Sequence, residues 1–480
     1  MVESIWAKTC ALPKWGPLEE DLQTQVAVVG GGMAGLLTAY QLQQAGREVA
    51  VLEAGSIARG QTGNTTAKVT SQHGLIYRRL LQEMGDEGAH QYAAANEQAI
   101  QEYRQIIQRE NIPCDWQEVD AFVYGEDLYQ LQQEASAACS LGIAADLVTS
   151  TPTLELVGAP GAVRFREQGQ FHPLKFVQGI SRTLTIYENS PVRILKDGSL
   201  QAGSHRVQAR QVVFACHFPF VNFPGLYFAR MHQERSYVLA LEGTSPVEGL
   251  WIGADSGGYS LRSWGDLVLL GGCGHRTGEN RAGGRYEALR SQARRWFPGS
   301  REVACWSAQD CMTLDGIPYI GPFAGSTPGW YVATGFQKWG MTHAMASAMI
   351  LRDLICKGES ANAPVFSPER FSVGDVGTLV SEGGQAVKGL GRRIFQIPPE
   401  SAKDLAPGCG GVVQWNGEKA GVYRDRDGTL YGVDIRCPHL GCQLEWNPDE
   451  RSWDCPCHGS RFDFRGNLLD NPAQEGLNHG

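Results

Sequence analysis

Two short motifs near the end of the chain combine cysteine with histidine. Written out, they are Cys437-Pro-His439-Leu-Gly-Cys442 and Cys455-Pro-Cys457-His458-Gly-Ser460. The pairs Cys437-x-His439 and Cys455-x-x-His458 each offer one thiolate and one imidazole, and both groups bind zinc and iron well. A tetrahedral zinc site would use two cysteines and two histidines, but the C-x-H spacing differs from the paired spacings of zinc fingers. The residue types therefore predict a metal centre, with zinc as the less favoured alternative.

A glycine-rich motif near the start of the chain predicts a second site. The small apolar residues 26–29 are typical of a buried parallel strand, and residues from Leu36 onward have helical periodicity. Between them, the first glycine of a GxGxxG pattern allows a tight turn, the second lets backbone approach a pyrophosphate, and the third lets helix pack on strand. An acid at the end of the next strand can accept from a ribose hydroxyl, which favours FAD or NAD over NADP. The predicted contacts are Gly30, Gly32, Met33, Ala34, Gly35 and Glu53.

Two further segments are candidates for the same ligand. Residues 59–73 are dense in glycine and small hydroxyl residues, including Thr65 and Thr66, and could wrap a polar ligand; the alternative is a plain surface loop. Residues 335–340 join a predicted parallel strand, 330–335, to a long apolar helix. This second strand–glycine–helix junction points another helix N-terminus at the ligand. Its predicted contacts are Gly335, Lys338, Trp339 and Gly340.

The patterns between these motifs indicate the elements that position them. A helical pattern runs from Leu75 to about Asn111, and residues 212–217 predict a buried strand that reaches the site at its C-terminal end. Residues 236–275 alternate as antiparallel strands do, and a helix is expected from about Arg285 to Phe297. The order of elements predicts an α/β domain combined with an antiparallel sheet.

Length and composition indicate several domains. At 480 residues the chain exceeds one ordinary core. We expect an N-terminal arm over residues 1–23 and a large domain that contains the glycine-rich motif over 24–373. Six glycines between residues 374 and 392 predict a linker at 374–398. A small domain of short strands then covers residues 399–480.

Charge and hydrophobicity exclude some classes of function. A net charge of −9 without a basic run argues against nucleic acid as the main partner. No apolar run approaches the roughly 20 residues that a membrane span needs, and the first residues lack the layout of a signal peptide. Thirteen cysteines is an odd number, and nine of them are scattered, which argues against a secreted disulfide framework. We therefore expect no transmembrane segment and a cytoplasmic location.

Both cysteine–histidine loops resemble those of the Rieske family, in which two cysteines hold one iron of a [2Fe–2S] cluster and two histidines hold the other. The resemblance implies Cys437 and Cys455 as sulfur ligands and His439 and His458 as nitrogen ligands. It also implies a disulfide between the two remaining loop cysteines, Cys442 and Cys457. Rieske oxygenases need a further mononuclear iron site downstream, and too few residues follow His458 to supply one.

Residues 24–370 resemble the D-amino-acid oxidase and glycine oxidase group of FAD enzymes. The glycine fingerprint with Glu53, the segment Leu314-Asp-Gly-Ile-Pro-Tyr-Ile-Gly-Pro322 and the segment Gly335-Phe-Gln-Lys-Trp-Gly-Met-Thr-His-Ala344 carry this resemblance. The whole chain is similar to a bacterial subgroup in which this flavoprotein is fused to a Rieske domain. The resemblance implies FAD rather than NAD. The implied fold is an α/β FAD-binding Rossmann-like domain with an antiparallel-sheet substrate domain, plus a small all-β Rieske domain.

The same resemblance suggests two substrate-site residues. Arg262 falls where relatives carry an arginine that clamps a substrate carboxylate, since a planar guanidinium makes two parallel bonds to an acid. An exposed strand residue is the alternative for Arg262, and Trp264 makes the size of the pocket uncertain. Lys338 is expected near the flavin ring, where positive charge stabilises the reduced flavin.

Two functions are compatible with these features. In the first, a flavin dehydrogenase oxidises the C–N bond of an amine or amino acid and sends electrons through the cluster to an external one-electron acceptor, a protein or a quinone. In the second, an electron-transfer or redox-sensing protein has no small-molecule substrate of its own. A pocket filled by Trp264 or neighbouring aromatic residues would favour the second function.

Overall fold

The computed structural model describes residues 3–195, 197–370, 401–415 and 417–478. The predicted linker, residues 374–398, lies outside these ranges. The predicted domain boundaries therefore stay predictions. None of the helices in the described ranges combines the length and the apolar character needed to cross a bilayer.

Ten α-helices and 24 strands are present in the described part of the chain. The helices are α1 Ile5–Thr9, α2 Met33–Gln44, α3 Gln61–Asn64, α4 Tyr77–Arg109, α5 Leu128–Ser140, α6 Pro152–Val157, α7 Pro173–Ile180, α8 Arg285–Trp296, α9 Gly340–Lys357 and α10 Ala363–Phe366. The strands are β1 Leu22–Val29, β2 Val49–Leu52, β3 Lys68–Val69, β4 Gln117–Gly125, β5 Ala145–Val148, β6 Gly161–Gln170, β7 Thr185–Tyr187, β8 Val192–Ile194, β9 Leu200–Ala202, β10 His205–Phe214, β11 Met231–Glu242, β12 Leu250–Gly253, β13 Ser260–Trp264, β14 Leu267–Arg276, β15 Arg301–Thr313, β16 Tyr319–Pro322, β17 Trp330–Thr334, β18 Gly410–Trp415, β19 Glu418–Arg424, β20 Leu430–Val433, β21 Glu445–Asn447, β22 Ser452–Asp454, β23 Arg461–Asp463 and β24 Leu468–Asp470.

The first sheet is mostly parallel and has the strand order β16-β17-β10-β1-β2-β7, with β8 and β9 attached at β10. Strand β1 pairs in parallel with β2 and β10, and β10 pairs in parallel with β17. Residues 26–29 are buried, as parallel strands covered on both faces require. The carboxyl ends of β1, β10 and β17 meet at one edge, which brings Gly30, Ala215 and Gly335 together. The predicted α/β arrangement is confirmed.

The second sheet has the order β15-β11-β14-β13-β12-β4-β6-β3, with β5 attached at β6. Strands β11, β14 and β15 are antiparallel, as the alternation over residues 236–275 predicts. Side chains of β11 alternate between two faces because successive residues of a strand point to opposite sides. Gln233 and Arg235 lie on one face, whereas His232, Glu234 and Ser236 lie on the other. Both faces of β11 therefore carry polar groups, and each face contributes to a different part of the site described below.

Two helices cover the parallel sheet beside the glycine-rich junctions. Helix α9 packs on α2 and on the long helix α4. The apolar pattern predicts α9 well, since the helix begins at Gly340 and ends at Lys357, followed by Gly358 in the left-handed conformation. The predicted helix over 75–111 is α4, and its backbone departs from helical geometry at Gly85.

The C-terminal residues form two small antiparallel sheets, β18-β19-β20 and β21-β22-β23-β24. Their shared core includes the fully buried Trp453 and Phe462 and the buried Leu444. One cysteine–histidine loop, residues 437–442, follows β20. The other loop, residues 455–460, connects β22 to β23. The predicted small all-β domain is confirmed.

Candidate functional site

Each cysteine–histidine loop is closed by its own backbone hydrogen bonds. In the first loop, Cys437 N–H donates to Cys442 O at 2.9 Å and Gly441 N–H donates to Cys437 O at 2.9 Å. In the second loop, Cys455 N–H donates to Ser460 O at 2.8 Å, and a further bond of 3.0 Å closes the turn back to Cys455 O. The shape of each loop is therefore fixed locally, and the sheets only need to bring the loops together.

The donor groups that the loops bring together fit a Rieske cluster. The Cys437 and Cys455 thiols are buried neighbours, and a hydrogen bond from Cys455 lowers the pKa of Cys437 to about 7. The imidazole rings of His439 and His458 lie 4.8 Å apart, and the Nδ1 atom of each is buried with no partner among the described residues. Burial lowers the pKa of His439 to about 4 and that of His458 to about 3, which leaves both rings neutral and able to bind metal. Two thiols and two orphaned ring nitrogens form the two-cysteine, two-histidine set that this cluster requires.

The remaining loop cysteines, Cys442 and Cys457, form a disulfide in the structure. The sulfur atoms of Cys442, Cys455 and Cys457 lie within 4.8 Å of one another. Because two of the three are bonded to each other, only Cys455 of this group is left to bind iron. The disulfide joins the two loops beside the ligand set.

The glycine fingerprint has the geometry of a dinucleotide site. Gly30 has a φ of 111°, and a Cβ atom there would lie 2.5 Å from Ala215 O. A Cβ atom on Gly35 would lie 1.9 Å from Gly30 O, so that helix α2 approaches the turn as closely as the fingerprint requires. A Cβ atom on Gly32 would instead meet only Thr62 Oγ1 within 4 Å, at 3.5 Å. The space beside Gly32 is therefore open for a ligand.

The start of helix α2 lies beside that space. Gly32 caps the helix without a side-chain hydrogen bond, and its neighbours Met33 and Ala34 open the first turn. Met33 N–H donates to Thr62 Oγ1 at 2.9 Å. Glu53 accepts from Gly31 N–H at 2.7 Å, and burial raises the pKa of its carboxyl group. The helix N-terminus and the acid lie where the fingerprint predicts a dinucleotide, and they fit FAD.

The loop that contains Thr65 and Thr66 is held by buried side chains. Thr65 Oγ1 accepts from Ala67 N–H at 2.9 Å, and Thr65 O accepts from the indole of Trp6 at 2.6 Å. The N-terminal arm therefore packs on this loop, because Trp6 is fully buried there. These contacts show an ordered, supported segment next to the fingerprint. The predicted FAD contacts of both threonines stay predictions.

Arg262 lies in a different environment from the one expected. Its side chain is fully buried, and its Nη1 donates to Thr66 O at 2.7 Å and to Ala67 O at 2.8 Å. The Trp6 ring covers the guanidinium, with 5.4 Å between the ring centre and Arg262 Cζ. The Trp6 ring also meets the Trp264 ring edge-on, with 5.0 Å between the ring centres. The alternative of an exposed strand residue is wrong. The predicted carboxylate clamp gains no support from these contacts, which favour Arg262 as a support of the loop.

The second glycine junction faces a charged recess on the second sheet. Lys338 Nζ lies 3.1 Å from a Glu234 carboxylate oxygen and 3.2 Å from an Asp310 carboxylate oxygen. Burial alone would lower the pKa of Lys338, but Asp310 and Glu234 raise it, so the amine stays protonated. The His232 imidazole and then Lys338 lower the pKa of Glu234 to about 2. We call the group of His232, Glu234, Ser236, Asp310 and Lys338 the charged recess.

Sequence reasoning named Lys338 but missed the two carboxylates. Glu234 and Asp310 pair across β11 and β15 and share one face of the sheet. Strand alternation alone could have placed Glu234 on the face of the sheet opposite to that of its chain neighbours Gln233 and Arg235. It could not have paired β11 with β15, because that pairing depends on the fold.

Trp339 and the nearby histidines form a packed network. Trp339 precedes helix α9 and stacks on His73 with ring centres 4.9 Å apart. The Tyr92 hydroxyl lies 2.7 Å from His73 Nδ1 and 3.1 Å from His343 Nε2. Burial lowers the pKa of His343 to about 4. The network fixes the junction at Gly340, and its histidines pack within it.

Comparisons with known proteins agree with these two sites. A family model described as FAD dependent oxidoreductase (DAO) matches residues 25–354, and a model described as Rieske [2Fe-2S] domain matches residues 397–479. A Rieske 2Fe-2S iron-sulfur protein of Bacillus subtilis (strain 168), YhfW, is 36% identical over 490 aligned positions that cover 98% of this chain and 96% of the relative.

Solved structures share the fold of the larger domain. The L-proline dehydrogenase of P. horikoshii is 17% identical with a TM-score of 0.62, covering 74% of this chain and 99% of that chain. The glycine oxidase of Geobacillus kaustophilus is 18% identical with a TM-score of 0.57, and the match covers 73% of this chain and 100% of that chain. The chain thus belongs to the FAD dependent oxidoreductase (DAO) family and carries a C-terminal Rieske domain, and its cofactors are FAD and a [2Fe-2S] cluster.

Proposed function

We propose that the protein is a dehydrogenase that oxidises the C–N bond of an amine or amino acid and passes the electrons to an external one-electron acceptor, a protein or a quinone. When bound, FAD accepts a hydride and the cluster carries single electrons. The observation that carries the proposal is the position of β11. Its residue Glu234 belongs to the charged recess beside the second FAD segment, whereas the adjacent residue Gln233, on the other face of the strand, donates to His458 O at 2.7 Å. One strand thus separates the recess from a cluster loop.

The charges of the recess suit an amine. Glu234 and Asp310 carry two negative charges against the one positive charge of Lys338, which leaves a net charge of −1 on these three groups. A cationic amine would be attracted to this excess, and it must release its proton to solvent before its C–N bond can be oxidised. Because Lys338 stays protonated, it is not a base, and we propose that it orients the substrate and supplies positive charge near the flavin. The names of the structural neighbours, a proline dehydrogenase and a glycine oxidase, support an amino-acid or amine substrate.

A specific observation favours the second function, an electron-transfer or redox-sensing protein without its own small-molecule substrate. Trp6 covers the guanidinium of Arg262 and packs on Trp264, and Nη1 of Arg262 already donates to two backbone carbonyls. Only Nη2 is left without a partner among the described residues, which leaves less of the guanidinium for a substrate carboxylate. In either function the cysteines scattered outside the cluster loops support our prediction of a cytoplasmic location.

Anaerobic reduction separates the two functions. The oxidised holoenzyme is mixed with a panel of amino acids and secondary amines, while flavin absorbance and the electron paramagnetic resonance (EPR) signal of the reduced cluster are followed together. Flavin bleaching with the cluster signal supports the dehydrogenase. Bleaching without the cluster signal keeps the enzyme and rejects the relay. No reaction with any compound, while dithionite still reduces both groups, supports the second function.

A matched pair of variants tests the charged recess. Glu234→Gln removes one negative charge, and we expect the amine KM to rise about tenfold, equivalent to about 1.4 kcal/mol of binding. Glu242→Gln, on the same strand but exposed, is the control. Equal KM values for the two variants would contradict the assignment of the recess.

A further inference from the structure

The Rieske domain contacts the FAD domain through buried polar groups. Arg235 of β11 pairs with Glu450, and their side chains are 3% and 8% exposed. The Ser307 hydroxyl of β15 also donates to Glu450. Asn280 adds hydrogen bonds to Asn447 at 3.0 Å and to Asp449 at 2.9 Å. Buried polar groups are costly unless they are paired, and these groups find their partners in each other across the contact.

The two cluster loops lie at one end of this contact area. Gln233 Nε2 donates to His458 O at 2.7 Å and to Asn471 O at 3.1 Å. Gln309 Nε2 donates to Gly459 O at 2.9 Å. A Cβ atom on Gly459 would lie 2.6 Å from Gln233 Cβ, which shows how closely the second loop packs on β11.

A hydrogen bond fixes the first loop as well. His439 Nε2 lies 2.7 Å from Asn222 Oδ1, in the segment between β10 and β11. When His439 Nδ1 binds iron, the proton of the ring is on Nε2, and Nε2 donates to the amide oxygen. The Asn222 backbone is held in turn, since Leu226 N–H donates to Asn222 O at 3.0 Å.

Aromatic rings enclose the two ligand histidines from the same segment. The Phe228 ring lies 6.4 Å from the His439 ring and 5.7 Å from the His458 ring. Phe218 lies 6.4 Å from His458. The C-terminal domain also contacts this segment through Asn471, whose Nδ2 donates to Phe218 O at 2.7 Å. The histidine side of the ligand set therefore faces the protein's own FAD domain.

We propose that the Rieske domain stays docked with the histidine side of its cluster on the segment 216–229, which we call the docking segment. In this arrangement Asn222 is the positioning residue that holds His439 against the FAD domain. The inference rests on the electron relay of the proposed function, but it does not depend on which compound is oxidised. It assigns the histidine side to internal electron transfer, so that an external acceptor meets another part of the domain.

The test compares two substitutions of Asn222 in the full-length holoenzyme. Asn222→Leu keeps the approximate volume and removes the acceptor, whereas Asn222→Asp keeps an acceptor oxygen. The flavin is photoreduced anaerobically with EDTA as the electron donor, so no amine substrate is needed, and the appearance of the reduced cluster is timed. Iron content, flavin content and the EPR line shape of the cluster are recorded for each protein.

We expect Asn222→Leu to slow cluster reduction about tenfold at unchanged iron and flavin content, because a small displacement of a redox group weakens its coupling. Asn222→Asp should retain most of the wild-type rate. Wild-type rates in both variants would overturn the positioning role. Failure of the amine panel with a normal response here would reject the proposed substrate class alone.

A second measurement needs no variant. Hydrogen exchange of the wild-type holoenzyme should show the docking segment and the loop 437–442 protected in both the oxidised and the dithionite-reduced protein. Rapid exchange of these two segments in either state would overturn permanent docking, even if Asn222→Leu failed to fold.

Discussion

The two redox sites of this protein differ in how far apart their residues lie along the chain. The cluster ligands come from two loops within residues 437–458, and each loop is closed by its own backbone bonds. The FAD site draws on Gly30, Glu53 and the junction 335–340, which only the parallel sheet brings to one edge. The first site depends on local conformation, and the second depends on the whole domain.

This difference teaches which changes should act locally. Removing a cluster ligand should remove the cluster while the FAD domain remains intact. A change in the FAD domain that leaves the parallel sheet undisturbed should affect FAD alone. A change that disturbs this sheet should affect both cofactors. Groups that connect the two domains, such as Glu450, should affect the protein as a whole.

The largest effect is expected from Cys455→Ser. Cysteine thiolates hold iron in these clusters, and a hydroxyl is a much poorer ligand, so the cluster should be lost while the flavin absorbance stays. Iron analysis and EPR of the dithionite-reduced protein measure the outcome. Cys409→Ser, an exposed cysteine of the same domain outside the loops, is the control and should keep full iron content. Loss of flavin together with iron would show that the two sites are not independent.

A smaller effect, confined to the other cofactor, is expected from Gly32→Ala. The protein itself leaves room for the added methyl group, since only Thr62 Oγ1 lies within 4 Å. The methyl group would occupy the open space beside the turn, and we expect FAD affinity to fall about tenfold or more. Titration of the apoprotein with FAD measures this change. Gly16→Ala, which also has open space around its Cβ position, is the control; equal FAD affinity in both variants would contradict the assignment of Gly32.

Glu450→Gln should weaken the contact between the two regions. The substitution removes one carboxylate from Arg235 and Arg461, which keep Asp470 and Asp454 as partners, so we expect a cost of about 1 to 3 kcal/mol. Chemical denaturation of the holoenzyme, followed by flavin fluorescence and cluster absorbance, measures the free energy of unfolding. Glu475→Gln, at an exposed position of the same domain, is the control. An unchanged free energy of unfolding would show that the interface contributes little.

The same residue gives the smallest prediction, a pH dependence. Burial alone would raise the pKa of Glu450, but Arg235 and Arg461 lower it to about 2, below its ordinary value of 4.5. A carboxyl group whose pKa is lower in the folded protein stabilises it fully above pH 4.5 and loses this contribution as the pH falls toward 2. Wild-type protein should therefore lose stability more steeply over this range than Glu450→Gln. Identical acid dependence in the two proteins would exclude this role.

The sequence is sufficient for the parts of the site that are local or carried by a family motif. The spacing of the cysteine–histidine loops predicts a metal centre, their resemblance to the Rieske family implies its ligands, and the glycine fingerprint predicts the dinucleotide site. The apolar patterns predict the parallel strands and helix α9. Arg262 was expected at a substrate, because nothing in its own strand indicates that Trp6, far away in sequence, covers it. Asn222 and Glu234 could not be found for the same reason, since their partners, His439 and Lys338, are brought to them only by tertiary structure.

The central claim is that flavin and cluster exchange electrons within one chain. Its most direct test times cluster reduction after photoreduction of the flavin in wild-type holoenzyme at several protein concentrations. Because the ligand histidines contact the docking segment of the same chain, we predict a first-order rate constant that does not change with concentration. A rate that rises in proportion to protein concentration would show transfer between separate molecules and would contradict the account.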